Sequence, residues 1–447
     1  MMPVLRRLLF EYGMVLVLLL LCIFFSVVTL TEQHPAGAAA ARQLARDVMA
    51  RFGKEGRVLV AVREQAEDIA FLHVLQEEFA RSGLHPVEVV QGEPKDARAA
   101  LQRLAAAGKK LDAIAGTQAA AGWLVFGDFS TDFPTLGTPR IMTARSYRWP
   151  NFLKADNLLN IANQIAVIAI IAVGMTMVIV AAGIDLSVGS LIALSAVIGA
   201  LLIRDYAGGV AAGPLGMIFS CLAAILACGV VGFFSGTMIT TFGVPPFIVT
   251  LAMMLVGNGL AFILARGQSV GNLPDSFVWL GRGADLFGLP NAVVLMVLLY
   301  AAGHILMSRM KIGRYLYAVG GNREAARLSG VPVALVLLFA YTVSGLLAGL
   351  GGVIMASQLK SGSPTYGQMY ELYVIAAVVV GGTSLSGGEG KMFGTLIGAF
   401  IIAVIQNGMN LTNVESYTQK VVLGLVILVA VLLDRLKHRG WRRQPRA

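Results

Sequence analysis

The sequence contains little charge and little cysteine, and each shortage excludes a class of protein. Of its 447 residues 13% are charged and 57% are hydrophobic, whereas a soluble globular domain carries about 25% charged residues. The three cysteines, Cys22, Cys221 and Cys228, all lie in apolar runs, so we expect no disulfide framework. The five histidines are scattered. We therefore predict no metal site, no cofactor and no catalytic constellation.

Long apolar runs replace the missing charge and predict an all-α polytopic membrane protein. The mean hydropathy is +0.74, and a helix of about 20 apolar residues crosses the hydrocarbon of a bilayer. We interpret the first run, Leu8–Leu30, as a retained anchor, because it is too long for a signal-peptide core. Nine further spans bring the total to about ten: 158–182, 187–203, 213–235, 244–265, 290–308, 333–356, 371–382, 392–411 and 417–434. The span 371–382 is shorter than a crossing requires.

Residues 31–156 interrupt this pattern and indicate a small soluble domain. They contain 16 Lys or Arg and 15 Asp or Glu residues. Predicted strands and helices alternate as β-α-β-α-β, which indicates a parallel sheet with helices packed on it: 57–62, 68–83, 85–90, 96–110 and 111–116. The chain is thus divided into an anchor helix at 1–30, an α/β insert at 31–156, a transmembrane domain at 157–434 and a basic tail at 435–447.

The distribution of positive charge predicts the orientation. With both termini inside, the inner segments hold fourteen Lys or Arg residues: 6, 7, 309, 311, 314, 323, 327, 391, 435, 437, 439, 442, 443 and 446. The short outer loops hold five: 204, 266, 282, 360 and 420. This bias predicts that the insert is extracytoplasmic. It also accounts for most of the net charge of +10, so no nucleic-acid partner is needed.

A polar stop between two apolar runs, "GIDLSVGS" at 183–190, is the first candidate for a functional role. Asp185 lies near or inside the bilayer, where an ionisable group is costly and indicates function. With Gly183 and Ser187 it suggests a broken helix that exposes backbone groups to a translocation pathway. The alternative is a helix cap, in which Asp185 or Ser187 accepts from the free N–H groups of the next helix.

The largest inner loop, 308–333, is the second candidate. Gly320, Gly321 and Asn322 predict a turn, and "REAARLSG" predicts a short helix that ends at Gly330 before Pro332. Such a helix suits docking to a cytosolic partner. The alternative is an ordinary positively charged connector.

The glycine-rich loop 381–394 is the third candidate for a functional role. It contains "LSGGE", which resembles the signature of ATP-binding cassette ATPases, but the sequence has no Walker A motif, so we reject ATP binding. We interpret it as a glycine-rich connector. It shares a Leu-Ser pattern with 183–200, which suggests an internal repeat.

Five stretches together resemble the permease subunits of bacterial ABC sugar importers of the ribose/xylose/galactose type: "NFLKADNLLNIANQ", "AVGMTMVIVAAGIDLSVGS", "FGVPPFIVTLAMM", "GRYLYAVGGNREAARLSGV" and "VVVGGTSLSGGEGKMFGTLIGA". The resemblance covers residues 151–434. It implies a homodimeric permease, a cytosolic ATP-binding subunit that hydrolyses ATP, and an extracytoplasmic sugar-binding protein. It also implies an inner-membrane location. Residues expected to couple to the ATPase are Gly320, Gly321, Asn322, Glu324, Ala325, Ala326, Arg327, Ser329 and Gly330. Residues expected near the pathway are Gly183, Asp185, Ser187, Thr383 and Ser384.

The insert distinguishes this sequence from the family it resembles. In that family the first span is followed almost directly by the "NFL" stretch. Its pattern resembles part of one lobe of a periplasmic sugar-binding protein. A docking or dimerisation module, a ligand sensor and a passive spacer all stay open. The solute could also be a branched-chain amino acid, a nucleoside or a signalling furanose. Two alternatives lie outside ABC import. One is a receptor that senses ligand through residues 31–156, and the other is a self-standing channel.

Overall fold

A computed structural model describes residues 2–127 and 129–441, and the chain forms two compact units. Leu30–Pro150 is one unit, and the residues up to Thr29 together with those from Asn151 onward form the other. We call them the insert and the membrane unit. The first helix of the membrane unit, α1, spans Met2–Val28. Residues 442–447, which belong to the predicted basic tail, lie outside the described residues.

The insert contains a doubly wound parallel sheet and a separate two-stranded ribbon. The ribbon pairs β1 with β6 in antiparallel register, and the sheet has the order β3-β2-β4-β5 with all neighbours parallel. The predicted β-α-β-α-β run corresponds to β2-α3-β3-α4-β4, while β1, α2, β5 and β6 were not predicted. The elements are β1 (Leu30–Gln33), α2 (Ala38–Phe52), β2 (Val58–Val62), α3 (Ala66–Ser82), β3 (Glu88–Gln91), α4 (Pro94–Ala106), β4 (Ala113–Gly116), α5 (Gln118–Ala121), α6 (Leu124–Gly127), α7 (Phe129–Asp132), β5 (Arg140–Met142) and β6 (Tyr147–Pro150).

Helices cover both faces of this sheet because its strands are apolar on both sides. All five residues of β2 and all four of β4 are buried. On one face the core is formed with α2 and α3, through side chains such as Leu44, Phe71 and Phe79. On the other face it is formed with α4 and the short helices, through Leu101 and Phe126. Strands buried on both faces are typical of parallel sheets in α/β domains.

The membrane unit is helical. From Ala155 onward its helices are α8 (Ala155–Val180), α9 (Val188–Asp205), α10 (Pro214–Thr241), α11 (Pro246–Leu264), α12 (Trp279–Arg282), α13 (Asn291–Arg309), α14 (Lys311–Gly321), α15 (Arg323–Leu328), α16 (Val333–Leu359), α17 (Tyr370–Val380), α18 (Met392–Leu411) and α19 (Ser416–Trp441).

Among the described residues, seven helices are long and apolar enough to cross a membrane: α8, α9, α10, α11, α13, α16 and α18. Three shorter apolar stretches lie within α1, α17 and α19, at Gly13–Val28, Tyr370–Val380 and Ser416–Leu432. These ten stretches coincide with the ten predicted spans, but within the described part of the chain seven alone meet the length requirement. The full count of ten crossings therefore stays a prediction.

Helix α8 forms the centre of the membrane unit, and small residues let its neighbours approach. The stretch 165–180 of α8 is buried throughout, and its sides are covered by α13, α16, α17 and α18. A methyl group at Gly174 would lie 2.8 Å from the Cα atom of Ser344 in α16. Gly345 and Gly349 of α16 are likewise in contact with Cys228 of α10. Small residues at such crossings permit close packing where no hydrophobic effect drives helices together.

Candidate functional site

The polar stop between α8 and α9 is buried and carries its own hydrogen-bond network. The Asp185 side chain is 1% exposed. Its Oδ1 atom accepts from the Ser187 N–H at 3.0 Å and the Ser187 hydroxyl at 2.6 Å, and its Oδ2 atom accepts from the Ser344 hydroxyl at 2.8 Å. Ser344 lies on α16, so one carboxylate joins the break to a helix distant in the sequence.

The predicted helix cap is wrong in its specific form. Ser187 occupies the N-cap position of α9, but its side chain accepts no cap hydrogen bond. Asp185 accepts from the N–H of Ser187 itself and not from an N–H inside the helix. Backbone groups of the break are also held from outside, since the Ile184 carbonyl accepts from the hydroxyls of Tyr341 and Thr250 at 3.3 and 3.4 Å. The break is therefore fixed by α11 and α16 rather than by a local cap.

A second junction brings together the end of α8, just before the break, and the other two polar stretches singled out above. The Val180 carbonyl at the end of α8 accepts from the N–H of Gly388 at 2.8 Å. A methyl group at Gly320 would overlap that carbonyl and lie 2.6 Å from the Gly388 nitrogen. The Tyr317 hydroxyl donates to the carbonyl of Gly390 at 2.7 Å. The end of α14 thus rests on the end of α8 and on the glycine-rich loop at once.

The predicted turn at Gly320 and Gly321 is wrong, because both residues belong to the last turn of α14. Asn322 alone breaks the helix. It caps α15, and its Oδ1 atom accepts from the Ala325 N–H at 2.9 Å. Glycine stands at position 320 because the backbone of α8 leaves no room for a side chain. Nothing lies within 4 Å of a methyl group at Gly321.

The predicted short helix is present as α15 and leaves most of its side chains free. Glu324 and Arg327 form an ion pair at 2.9 Å and are 70% and 69% exposed. Ala325 and Ser329 are exposed, and Ala326 is the one residue of α15 that is buried. Gly330 ends the segment with a φ of +80°, a left-handed conformation that favours glycine. We call Gly320–Gly330 the connector segment.

The pathway candidates Thr383 and Ser384 lie in the glycine-rich loop and are buried. The Ser384 N–H donates to the Glu389 carbonyl at 3.1 Å, and the Ser384 hydroxyl accepts from the Ser386 N–H at 3.2 Å. The Thr383 hydroxyl has no hydrogen-bond partner among the described residues. The loop is therefore a compact turn packed against the end of α8. The side chain of Ala182, which precedes Gly183 in the chain, faces Gly387.

Glu371 is a residue that sequence reasoning missed. It lies in the first turn of α17, is partly exposed, and its Oε2 atom is in contact with Gly189 in the first turn of α9. The signal for it was present, because a charged residue opens the one span that is too short to cross a bilayer.

A profile described as branched-chain amino acid transport system / permease component matches residues 157–431. The chain belongs to this permease family. It is 44% identical over 297 residues to the ribose import permease protein RbsC of Escherichia coli (strain K12), covering 65% of this chain and 88% of the relative. It is 44% identical over 306 residues to RbsC of Bacillus subtilis (strain 168), covering 68% and 92%. It is 35% identical over 285 residues to the D-allose transport system permease protein AlsC of Escherichia coli (strain K12), covering 64% and 85%. No solved structure gives a significant match.

These comparisons confirm the resemblance drawn from the five stretches. The chain is a permease, a multi-pass membrane component of a transporter, and not itself an enzyme. The profile begins at residue 157, so the break, the connector segment and the glycine-rich loop all belong to the matched part, whereas the insert precedes it.

Proposed function

We propose that this permease imports a monosaccharide as the membrane-spanning part of an ATP-driven ABC importer. The support comes from relatives named for ribose, D-allose and L-arabinose, all of which are monosaccharides. The family description names branched-chain amino acids, so these, nucleosides and a signalling furanose are the alternative solutes within the same architecture. The proposed partners are an ABC ATP-binding subunit, an extracytoplasmic sugar-binding protein and a second permease copy.

The observation that carries the proposal is the junction of Gly320, Val180 and Gly388. It connects the exposed connector segment with the end of the central helix α8. From there the chain leads through Ala182 to the buried carboxylate of Asp185. A force applied at the connector segment therefore reaches the break through backbone contacts, without a flexible side chain between them.

We propose that transport proceeds by alternating access in a permease dimer with both termini inside. The ATP-binding subunit binds the connector segment through Glu324 and Arg327, and its two nucleotide states favour two positions of that segment. A ligand shifts such an equilibrium only through different affinities for the two states. The break at Gly183, Asp185 and Ser187 and the loop at Thr383 and Ser384 then move with α8.

For the insert we propose a docking or dimerisation role. In open α/β sheets, ligands bind beyond the carboxyl ends of the strands where the strand order reverses, here between β2 and β4. At that edge Asp68 accepts from the Arg63 guanidinium at 2.9 Å and from the Thr117 hydroxyl at 3.1 Å. The buried carboxylate is thus already satisfied by the insert itself. This favours a docking surface over a sugar sensor, and so argues against the receptor alternative.

The test is reconstitution into proteoliposomes with a candidate ABC ATP-binding subunit and a candidate sugar-binding protein of the same organism. Uptake of labelled ribose, allose and arabinose is measured with and without hydrolysable ATP. We expect uptake of at least one of them, and only when both partners and ATP are present. Uptake at full rate by the permease alone would instead indicate a channel, and no uptake of any monosaccharide would refute the assigned substrate class.

A further inference from the structure

The predicted crossing that contains α17 is built in two pieces. Helix α17 has 11 residues, so at 1.5 Å per residue it covers about 16 Å, roughly half of a hydrocarbon core of about 30 Å. The non-helical residues 361–369 precede it and run beside α9. A methyl group at Gly362 would lie 2.7 Å from the Cβ atom of Ala200, and one at Gly367 would lie 2.7 Å from the Cβ atom of Ile192. Irregular backbone therefore follows α9 from its middle toward its first turn.

Irregular backbone at membrane depth is tolerated only when protein buries it or when it lines a water-filled cavity. Here one side is buried, because Gly362, Ser363, Pro364 and Gly367 pack inward. The other side is open, because Thr365, Gln368 and Met369 are exposed. Thr365 and Gln368 make part of this open side polar, and lipid tails cannot solvate these groups.

Hydroxyl groups and aromatic rings dominate this stretch, which we call the re-entrant segment, Ser361–Tyr373. The Ser361 hydroxyl lies 2.5 Å from the Tyr366 hydroxyl, and the Ser363 hydroxyl lies 3.0 Å from that of Thr365. The rings of Tyr370 and Tyr373 meet edge to face with their centres 6.2 Å apart. Hydroxyls and amphipathic rings match a ligand that carries many hydroxyl groups on an apolar ring.

Glu371 adds the one carboxylate of this segment. It lies in the first turn of α17, where the helical piece of the predicted crossing begins, and its side chain touches Gly189 of α9. No other described residue donates a hydrogen bond to its carboxylate, and it forms no ion pair in the described part of the chain. A carboxylate inside a crossing is costly when it faces lipid, so its exposed side borders water.

We infer that the re-entrant segment is the substrate-contacting wall of the pathway, and that the Glu371 carboxylate accepts hydrogen bonds from sugar hydroxyl groups. The inference rests on the proposed sugar import and adds a ligand contact to it. The first turn of α17 favours a negative charge at this position.

Water access is tested first, in the full-length permease with Cys22, Cys221 and Cys228 replaced by alanine. Glu371→Cys and Thr365→Cys are exposed in proteoliposomes to a membrane-impermeant sulfonated methanethiosulfonate. We expect both to react, whereas Leu298→Cys, which is 60% exposed in the apolar helix α13, does not. Reaction at neither of the two positions would overturn the inference. Thr365→Cys keeps the test valid if Glu371→Cys fails to insert.

Sugar contact is tested by Glu371→Gln in the complete reconstituted importer. We expect the KM for uptake to rise about tenfold, as for the loss of a hydrogen bond to a charged acceptor, while ATPase stimulation by the binding protein is unchanged. Glu415→Gln, an exposed acid in the loop before α19, is the matched control and should leave KM unchanged. If the wild-type protein imports a sugar and Glu371→Gln has the wild-type KM, this inference is refuted while the proposed function stands. If wild-type protein imports no sugar, the proposed function fails, and the labelling result still stands.

Discussion

The Ser344 hydroxyl donates a 2.8 Å hydrogen bond to Oδ2 of Asp185. This bond joins the break between α8 and α9 to α16, the helix that follows the connector segment in the chain. The backbones are also in direct contact, because Gly174 of α8 packs against the Cα atom of Ser344. A shift of α16 against α8 must therefore change the environment of the Asp185 carboxylate.

Ser344→Ala should impair transport. It leaves one oxygen of a buried carboxylate without its partner, which costs about 1–3 kcal/mol, and it releases the break from α16. We expect ATP-driven uptake to fall roughly tenfold, measured in proteoliposomes at equal protein content. Ser195→Ala is the matched control, since the Ser195 hydroxyl joins α9 to the Gly349 carbonyl of α16 at 2.7 Å without touching the break. Equal losses in the two variants would contradict a special role for Asp185.

Gly320→Ala should uncouple the connector segment from α8. The added methyl group would overlap the Val180 carbonyl oxygen, and because that oxygen belongs to backbone, α14 must move away. We expect binding-protein-stimulated ATPase activity and uptake to be lost, with the amount of membrane-inserted protein unchanged. The neighbouring Gly321→Ala adds the same methyl group where nothing lies within 4 Å. It should behave like wild type, and a similar defect in both variants would point to helix flexibility instead.

Sequence reasoning located the ten apolar helices of the membrane unit because each is an apolar run, and it located α15 because Asn322 and Gly330 are strong helix boundaries. Its prediction of a turn at Gly320 and Gly321 failed. Two adjacent glycines usually indicate a turn, but here both lie inside helix α14. The reason for Gly320 is a contact with Val180, 140 positions earlier in the sequence, and no local pattern reveals such a contact.

The partner of Asp185 was equally hidden. A carboxylate near the bilayer indicates function, but Ser344 is one of several serines in apolar helices, and only the packing of α8 on α16 selects it. The re-entrant segment could have been suspected, because the predicted span 371–382 begins with Glu371 and is shorter than a crossing requires. Its course along α9 depends on glycines 362 and 367, whose role appears only in the fold.

Exchanging Glu324 and Arg327 should abolish stimulation of the ATP-binding subunit. The double variant Glu324→Arg, Arg327→Glu keeps an oppositely charged i,i+3 pair, worth about 0.2–0.5 kcal/mol, so α15 itself stays intact. Both side chains are about 70% exposed, and the exchange therefore reverses the charges that a partner would meet. The readout is ATPase activity with and without the sugar-binding protein.

The control for that exchange is the ion pair of Arg204 and Asp205, 2.6 Å apart at the end of α9. Exchanging these two residues reverses exposed charges on a loop predicted to lie on the opposite side of the membrane. It should leave ATPase stimulation unchanged. Normal ATPase stimulation in the variant with Glu324 and Arg327 exchanged would refute the docking role of α15.

The insert should lose stability in acid through Asp68. Burial alone raises the pKa of this carboxyl group, but hydrogen bonds from the Arg63 side chain and N–H and from Thr117 outweigh burial and hold its pKa below the ordinary value. Because the pKa is lower in the folded state, the stabilisation is fully present at neutral pH and is lost as the pH falls below about 4. Hydrogen exchange of residues 58–116 in the full-length protein, measured from pH 6 downward, should show this loss.

Asp68→Asn removes the charge at every pH. We expect it to lower the free energy of unfolding of the insert by about 1–3 kcal/mol at neutral pH and to flatten the acid dependence. Asp132→Asn is a suitable control, because its ion pair with Arg98 lies at the surface and surface pairs contribute about 0–1 kcal/mol. An unchanged acid dependence in Asp68→Asn would show that another carboxylate is responsible.

The insert can be removed without separating the ends that flank it. In the membrane unit the Thr29 carbonyl accepts from the Asn151 N–H at 3.0 Å, and the Thr29 hydroxyl accepts from the Phe152 N–H at 3.1 Å. In the ribbon Thr31 stands opposite Trp149. An Asn-Gly turn that joins these two residues would close a hairpin of ordinary geometry and delete residues 32–148.

This deletion separates the three roles that the sequence left open. If the insert is a docking module, we expect membrane insertion and basal ATPase activity to persist, while stimulation by the sugar-binding protein falls. If it is a dimerisation module, the mass of the purified permease should drop from that of a dimer to that of a monomer, as measured by light scattering. Unchanged stimulation, mass and uptake would contradict both and leave a spacer. Stimulation that persists but no longer depends on sugar would instead indicate a sensor, because the binding protein would still dock while the response to ligand is gone.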